Sequence, residues 1–472
     1  MPDLFFDRRM SDAEGLMWRL EKDPHLSSTF ANVTVLDRPP DFERLRRRME
    51  RATRAIPRLR QRVMPAPANL SPPIWVDDPD FDLDLHLRRI ALPEPGTLRQ
   101  LLDLATLVMA DPFDRTRPLW QFTVVEGLHG GKAALIEKLH HTISDGERGV
   151  QLSLEFLDFE RDAPEPPPIV ADVGSDAGPD PDAGSDRADH GPGGASSTDT
   201  ALELVAGSLR LPIGVARQVR DLLADPSQLP DASSAAVATL RGILNQLGET
   251  ERARSPIWTS RSLRRRLETA RAPFDDTRLA AKRLGGTLNT AFLTIATEAA
   301  ARYHRELGAP TETLRASMAV STRTDSSGGN AFSLVRLLVP TGDMPVAERF
   351  AAIQEGADAA RGQNAGAGLD TLATLASTLP TSLVTRLARQ QAQTVDFATS
   401  NVKGSPVPMY AAGAQLLENY PVGPLAGVAF NLTLLSYLGS LDMCLNIDTA
   451  AVAEPELLAA AIERAIADLL SP

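Results

Sequence analysis

The sequence predicts an α+β fold, with mixed sheets and helices in two parts of unequal length. Three observations predict it. Helix-start signals interleave with strand-like alternation in both parts, a Pro/Gly/Asp-rich stretch separates the parts, and a hairpin carries two adjacent histidines to its end.

Taken in order, Ser11 to Glu14 has the pattern of a capping box, so a helix begins there. Ala31 to Val35 alternates apolar and polar residues, as a half-buried strand does. Phe42 to Ile56 places Leu45, Met49, Ala52 and Ile56 at helical spacing, with Arg46, Arg47, Arg48 and Arg51 largely on other faces. Trp120, Phe122 and Val124 alternate in a strand, Gly127 to Gly131 turns, and Ala133 to His140 returns. Further on, Thr287 caps a helix running through Phe292, Ile295, Ala296 and Ala299, and Leu314 to Val320 and Phe332 to Val339 read as strands. Pro455 suits the first turn of a last helix, where Glu454 and Glu456 favour the positive end of its dipole.

Between Arg161 and Thr200 the chain is dense in Pro, Gly, Ser and Asp, with almost no large apolar residue after Val173. Such a segment buries too little surface to offset the entropy of ordering it. The expected layout is an N-terminal domain over 1–160, a flexible acidic linker over 161–200 and a C-terminal domain over 201–472.

Composition narrows the function classes. The 472 residues are 43% hydrophobic and 23% charged, ordinary for a soluble globular protein. A net charge of -12 argues against a nucleic-acid partner, which needs a basic face. Cys444 is the single cysteine, so neither an intrachain disulfide nor a Cys-rich zinc site is expected, as suits a reducing compartment. The first residues are broken by charge and have no apolar signal core. The longest apolar stretch, Gly427 to Ile447, contains Asn431, Thr433, Ser436, Asp442 and Asn446 and suits two buried strands, whereas a spanning helix needs about 20 apolar residues. A cytoplasmic protein is expected, with any contact to a membrane or lipid inclusion peripheral. Leu202 to Leu223 reads as a core helix pair, or as a segment lying on a lipid surface.

The chemistry centres on His140 to Gly146, in which two adjacent histidines are followed by Asp145 and Gly146. On a continuing strand His140 and His141 point to opposite faces, so one at most faces a given cavity. Imidazole is the side chain best matched to moving a proton near neutral pH. Asp145 can orient a ring or hold the loop, and Gly146 permits a turn into a helix near Glu147. The plainer alternatives are a structural strand-end histidine and a metal pair. No further ligand cluster accompanies the pair, and adjacent strand residues diverge, so no metal is expected.

With these residues in view, the chain resembles the bacterial wax ester synthase/diacylglycerol acyltransferase family, within the CoA-dependent acyltransferases that share a His-x-x-x-Asp core. Arg9 to Ala13, Pro57 to Arg62 and Pro118 to Trp120 look like family blocks, as do Arg264 to Arg266, Leu288 with Asn289, Val320 to Arg323, Gly329 with Asn330, Ser400 to Val402 and Ser436 to Gly439. They follow in the family's order over nearly the whole chain except the linker. The resemblance implies two similar domains, each with a mixed sheet flanked by helices, and an active-site tunnel between them. It implies His141 as general base, His140 as its neighbour, and Asp145 turned away to pair with a basic residue. It makes Gly146, Asn289, Ser400 and Asn401 candidates for binding substrate or shaping loops. It implies acyl-CoA as co-substrate, diacylglycerol or a long-chain alcohol as acceptor, and no cofactor. Two positions depart from the family pattern: Thr290 stands where an aspartate is usual, and Lys403 to Ser405 where Pro-Gly-Pro is usual.

Two other readings stand beside this one. A related acyltransferase would take its acyl group from a carrier protein or serve another hydroxyl, and a paralogue without catalysis would only bind lipid. Donor preference and thioester cleavage separate them. The arginine clusters, Arg46 to Arg51 and Arg264 to Arg266, read either as solvated faces or as contacts for CoA phosphates or anionic lipid.

Overall fold

The computed structural model describes residues 7–66, 72–144, 146–166, 253–321, 332–363 and 381–471. Ser11 Oγ accepts the Glu14 N–H at 3.2 Å and Glu14 accepts the Ser11 N–H at 2.9 Å, so the capping box opens α1 (Asp12–Leu20) as expected. The chain then forms β1 (Thr29–Leu36), α2 (Phe42–Ala55), β2 (Gln61–Met64), β3 (Ile74–Asp77), β4 (Leu87–Ala91) and α3 (Leu98–Ala110). The expected hairpin follows as β5 (Trp120–Leu128) and β6 (Lys132–His140). Gly130 and Gly131 take φ of 77° and 73° in its turn, a conformation that disfavours a Cβ. α4 (Gly146–Ser153) and β7 (Leu157–Asp158) complete this part.

The second part holds β8 (Arg265–Pro273), α5 (Phe274–Arg283), α6 (Leu288–Glu306), β9 (Thr313–Ser321), β10 (Phe332–Pro340), α7 (Val346–Gln363) and α8 (Thr381–Ala392). It continues through β11 (Phe397–Lys403), β12 (Tyr410–Ala411), β13 (Ala414–Val422), β14 (Phe430–Tyr437), β15 (Ser440–Asp448) and α9 (Pro455–Leu470). The apolar stretch Gly427 to Ile447 is thus a strand pair, β14 with β15, as its composition predicted. Among the described residues no helix is long and apolar enough to cross a membrane. Leu202 to Leu223 lies outside the described residues.

Two mixed sheets carry the fold. The first has the order β4-β5-β6-β1-β13-β12-β7 and the second β10-β9-β11-β14-β15-β8. Helices α6 and α9 bury Phe292, Ile295, Leu458 and Ile462 against the second sheet. Helix α3 buries Leu101, Leu102 and Ala105 against the first. The sheets do not follow the order of the chain, because β12 and β13 leave the second part and complete the first sheet beside β1. A fully buried carboxylate fastens this crossover: Asp442 on β15 accepts the Asn419 N–H of β13 at 2.7 Å.

Residues 161–166, the start of the stretch read as linker, are pinned to the first part. Arg161 bonds Asp37 at 2.7 Å and the Gly413 carbonyl, while the carbonyls of Ala163 and Pro164 accept from Arg44 and Arg48. Residues 167–252, which hold the rest of that linker, lie outside the described residues. The cluster on α2 divides: Arg46 and Arg47 lie on the solvated face, while Arg48 is buried and Arg51 half-buried, and each of the four has an acidic partner. Arg46 pairs with Asp84, Arg47 with Glu165, Arg48 with Asp158 and Arg51 with Glu155. In the second cluster Arg265 lies 3.8 Å from Asp448, and Arg266 pairs with Glu268 and Glu456.

Candidate active site

Strand parity builds the site. Side chains along β6 alternate between two faces. Leu135, Glu137 and Leu139, continued by His141, line a cavity of about 170 Å³. On β1 their partners across the ladder, Thr34, Asn32 and Phe30, line the same cavity. The opposing wall comes from α4 through Val150 and Leu152, from β11 through Ser400 and Val402, and from β14 through Leu435. The cavity therefore lies between the two sheets, and residues from both ends of the chain face it. The His141 ring packs on Phe30, with centroids 4.6 Å apart and planes tilted by 37°.

His140 points the other way, as parity predicted, and is 1% exposed. The Thr142 N–H donates to its Nδ1 at 3.2 Å, so that nitrogen is an acceptor. Nε2 then carries the proton and donates to Glu21 Oε2 at 3.1 Å. His140 is thus locked between its own loop and Glu21 at the end of α1. Glu21 also accepts from Ser27 Oγ at 2.7 Å, the Ser28 N–H at 2.7 Å and Thr29 Oγ1 at 3.2 Å. Burial works to raise this carboxyl, but the bonds from His140, Ser27 and Ser28 outweigh it and hold Glu21 below its ordinary range. The Ser28 carbonyl in turn accepts the His141 N–H at 3.2 Å. Sequence reasoning missed Glu21. Its signal was an acid at the C-cap of α1, the end of a helix where the dipole favours a cation.

The remaining predicted residues fall into three groups. Gly146 is the first residue of α4. Asp145 lies outside the described residues, as do Thr322, Arg323, Gly329 and Asn330. Ser400 lines the cavity beside Val402. Asn289 and Asn401 do not; the Asn401 amide donates to Asn289 Oδ1 and so ties the start of α6 to β11. Thr290 is 3% exposed and belongs to the expected cap: Thr287 Oγ1 accepts its N–H at 3.2 Å, and its hydroxyl donates to Gln354. At the other departure, a Cβ on Gly404 would stand 2.4 Å from the Ser436 carbonyl oxygen, so this loop needs glycine to close on β14. Trp120 is the core anchor it was expected to be, with its indole N–H donated to the Leu59 carbonyl at 2.9 Å. Cys444 is fully buried and burial pushes its thiol up. Among the described residues no group of three or more His, Cys, Asp or Glu is placed to hold a metal ion.

Glu137 is unusual for a wall residue. It is 8% exposed, and burial pushes its carboxyl up to about 7 from 4.5, against the hydrogen bond it accepts from Asn32 at 3.0 Å. Between those values the folded chain holds a proton that the unfolded chain has lost, so stability falls as pH rises through this window. Glu137→Gln keeps an acceptor for Asn32 and removes the titration. The thermal stability of this variant relative to wild type is expected to grow from pH 4.5 to pH 7.5, by up to about 3 kcal/mol. A constant difference across that range would show that Glu137 is ionised throughout.

Comparison with known proteins agrees with this architecture. Residues 10–292 match the wax ester synthase/diacylglycerol acyltransferase catalytic domain, and residues 328–470 match the C-terminal domain of the same family. A Mycobacterium tuberculosis protein that carries the name diacylglycerol O-acyltransferase is 34% identical, over 98% of this chain and 92% of its own length. The wax ester synthase/diacylglycerol acyltransferase from Marinobacter aquaeolei superposes with a TM-score of 0.65 at 22% identity, covering 98% of each chain. The first condensation domain of the calcium-dependent antibiotic synthetase shares the fold, with a TM-score of 0.58 at 15% identity over 99% of this chain and 98% of its own. Matched along nearly its whole length, with two sheets enclosing the histidine-bearing cavity, the chain belongs to the wax ester synthase/diacylglycerol acyltransferase family.

Proposed function

We propose that this chain moves a long-chain acyl group from acyl-CoA to diacylglycerol or a long-chain alcohol, with His141 as general base. One observation carries the assignment: His141 alone of the pair reaches the mainly apolar cavity between the sheets, while His140 is committed to Glu21 and Thr142. His141 takes the proton from the acceptor hydroxyl as its oxygen attacks the thioester carbonyl. The tetrahedral intermediate collapses with loss of CoA thiolate, and the imidazolium returns its proton to that sulfur. Every atom and electron of this exchange is supplied by the two substrates and the base, so acyl-CoA serves as co-substrate and no cofactor takes part.

His140 positions the loop from the far side of the strand. Gly146 opens α4, where that loop ends. Ser400 lines the cavity from the opposite wall, and Asn289 with Asn401 holds that wall in place. An acceptor that partitions into lipid makes peripheral attachment to a membrane or lipid inclusion the natural setting.

The test is release of CoA thiol from palmitoyl-CoA by the purified chain, with a long-chain alcohol, with diacylglycerol, and with neither. Release that depends on an acceptor is expected, and the acceptor that supports it names the product class. Equal release in all three would mark a thioester hydrolase and overturn the reading.

A further inference from the structure

The cavity wall carries a polar cluster that the acyl-transfer reaction does not use. Glu137 is the one acid among its described lining residues, set beside Leu135, Leu139 and Phe122. Around it stand Asn32, which donates to Glu137 at 3.0 Å and to Thr34 at 3.2 Å, and Asn419, which accepts from Thr34 at 3.1 Å and from Asn32. All four side chains line the cavity. Thr34 is 2% exposed and Glu137 8%.

The cluster is incomplete. Asn32 Oδ1 is buried and has no hydrogen-bond partner among the described residues. Turning the amide over would exchange the orphan acceptor for an orphan donor, so one end of Asn32 lacks a partner in either orientation. The polar face turned to the cavity is the Glu137 carboxyl, one oxygen of which accepts from Asn32 while the side chain lines the cavity.

We propose that Glu137, Asn32, Thr34 and Asn419 form a subsite for a hydroxyl group carried at mid-chain by the lipid substrate. A hydroxyl both donates and accepts, so it pairs with the Glu137 carboxyl whether that group holds its proton or not. A carboxyl balanced near neutral pH serves as donor or acceptor on the same terms. Position sets the place of the hydroxyl. Glu137 and His141 lie on one face four residues apart, about 13 Å along the strand. A saturated chain that starts at His141 and follows β6 therefore meets the cluster with its middle carbons.

The inference rests on the acyl-transfer reading, and the test separates the two. With the full chain, stearoyl-CoA is compared with mid-chain hydroxystearoyl-CoA, using hexadecanol as acceptor. In a second arm palmitoyl-CoA is held fixed, and hexadecanol is compared with a hexadecanediol hydroxylated at mid-chain. In one arm the hydroxylated substrate is expected to show a kcat/KM at least about tenfold higher, and that arm says whether the acyl group or the acceptor lies along β6. In Glu137→Leu the ratio is expected to fall to near one, and Asn32→Val carries the same expectation should the leucine variant not fold. Ratios near one in both arms for wild type, or a preference that survives both variants, overturn the subsite alone. No turnover with any of the pairs overturns the acyl-transfer reading, and the subsite with it.

Discussion

His141→Ala is expected to lower kcat for acyl transfer by about 10²- to 10⁴-fold, the range over which a positioned general base contributes. The loss should appear mainly in kcat, because the ring acts as the proton leaves the acceptor and the cavity that binds the lipid chains is otherwise intact. The fold should survive. His141 is only partly buried, it ends no helix, and its packing partner Phe30 is held by β1 between two neighbouring strands. CoA release under saturating palmitoyl-CoA and acceptor measures the effect, with thermal denaturation as the control for folding. Activity within a factor of about three of wild type would remove His141 from the base role. His140→Ala should behave differently: it removes one of the four donors of Glu21 and leaves a void in the buried loop, so its loss of activity should come with a loss of stability.

How far the sequence could be read depends on the range of the interaction. Period-two alternation and the glycine turn made the hairpin legible, and parity then said that one histidine of the pair faces away. The cap at Thr287 and the strand pair in Gly427 to Ile447 were legible for the same reason, since their signals lie within a few residues. Pairing across the chain was not. The arginines of α2 find Glu155, Asp158 and Glu165 about a hundred positions later, and no local pattern announces those partners. Glu137 sits in a run that reads as an ordinary strand. Asn32 meets it across the β1–β6 ladder, and Asn419 joins Asn32 only because β13 crosses into the first sheet; strand order across such a crossover has no local signature. Thr290 looked like a lost carboxylate, yet it is part of a buried helix cap that its neighbour Thr287 had already signalled.

Glu21 shows what such a hidden partner does. Its two oxygens gather four donors: Ser27, the Ser28 N–H, Thr29 and His140. It thereby joins the entry of β1 to the exit of β6, and the Ser28 carbonyl passes that constraint to the His141 N–H. Glu21→Ala strands the Ser28 N–H and the His140 Nε2–H in a buried setting, at about 1–3 kcal/mol each. A stability loss of about 3 kcal/mol is therefore expected. With His141 no longer held by a fixed Ser28, kcat is expected to fall at least about tenfold while KM changes less, because small displacements of a reacting group are costly. Glu21→Gln fills the same space but turns a donor toward donors, so it should recover part of the stability and less of the rate. The pH dependence follows from a carboxyl held below its ordinary value. Its contribution is complete above about pH 4.5 and is lost as pH falls through the lower folded value, so the stability gap between wild type and Glu21→Ala should be flat near neutral pH and close in acid. A gap that stays open in acid, or wild-type kcat in the alanine variant, would show that Glu21 does not position His141.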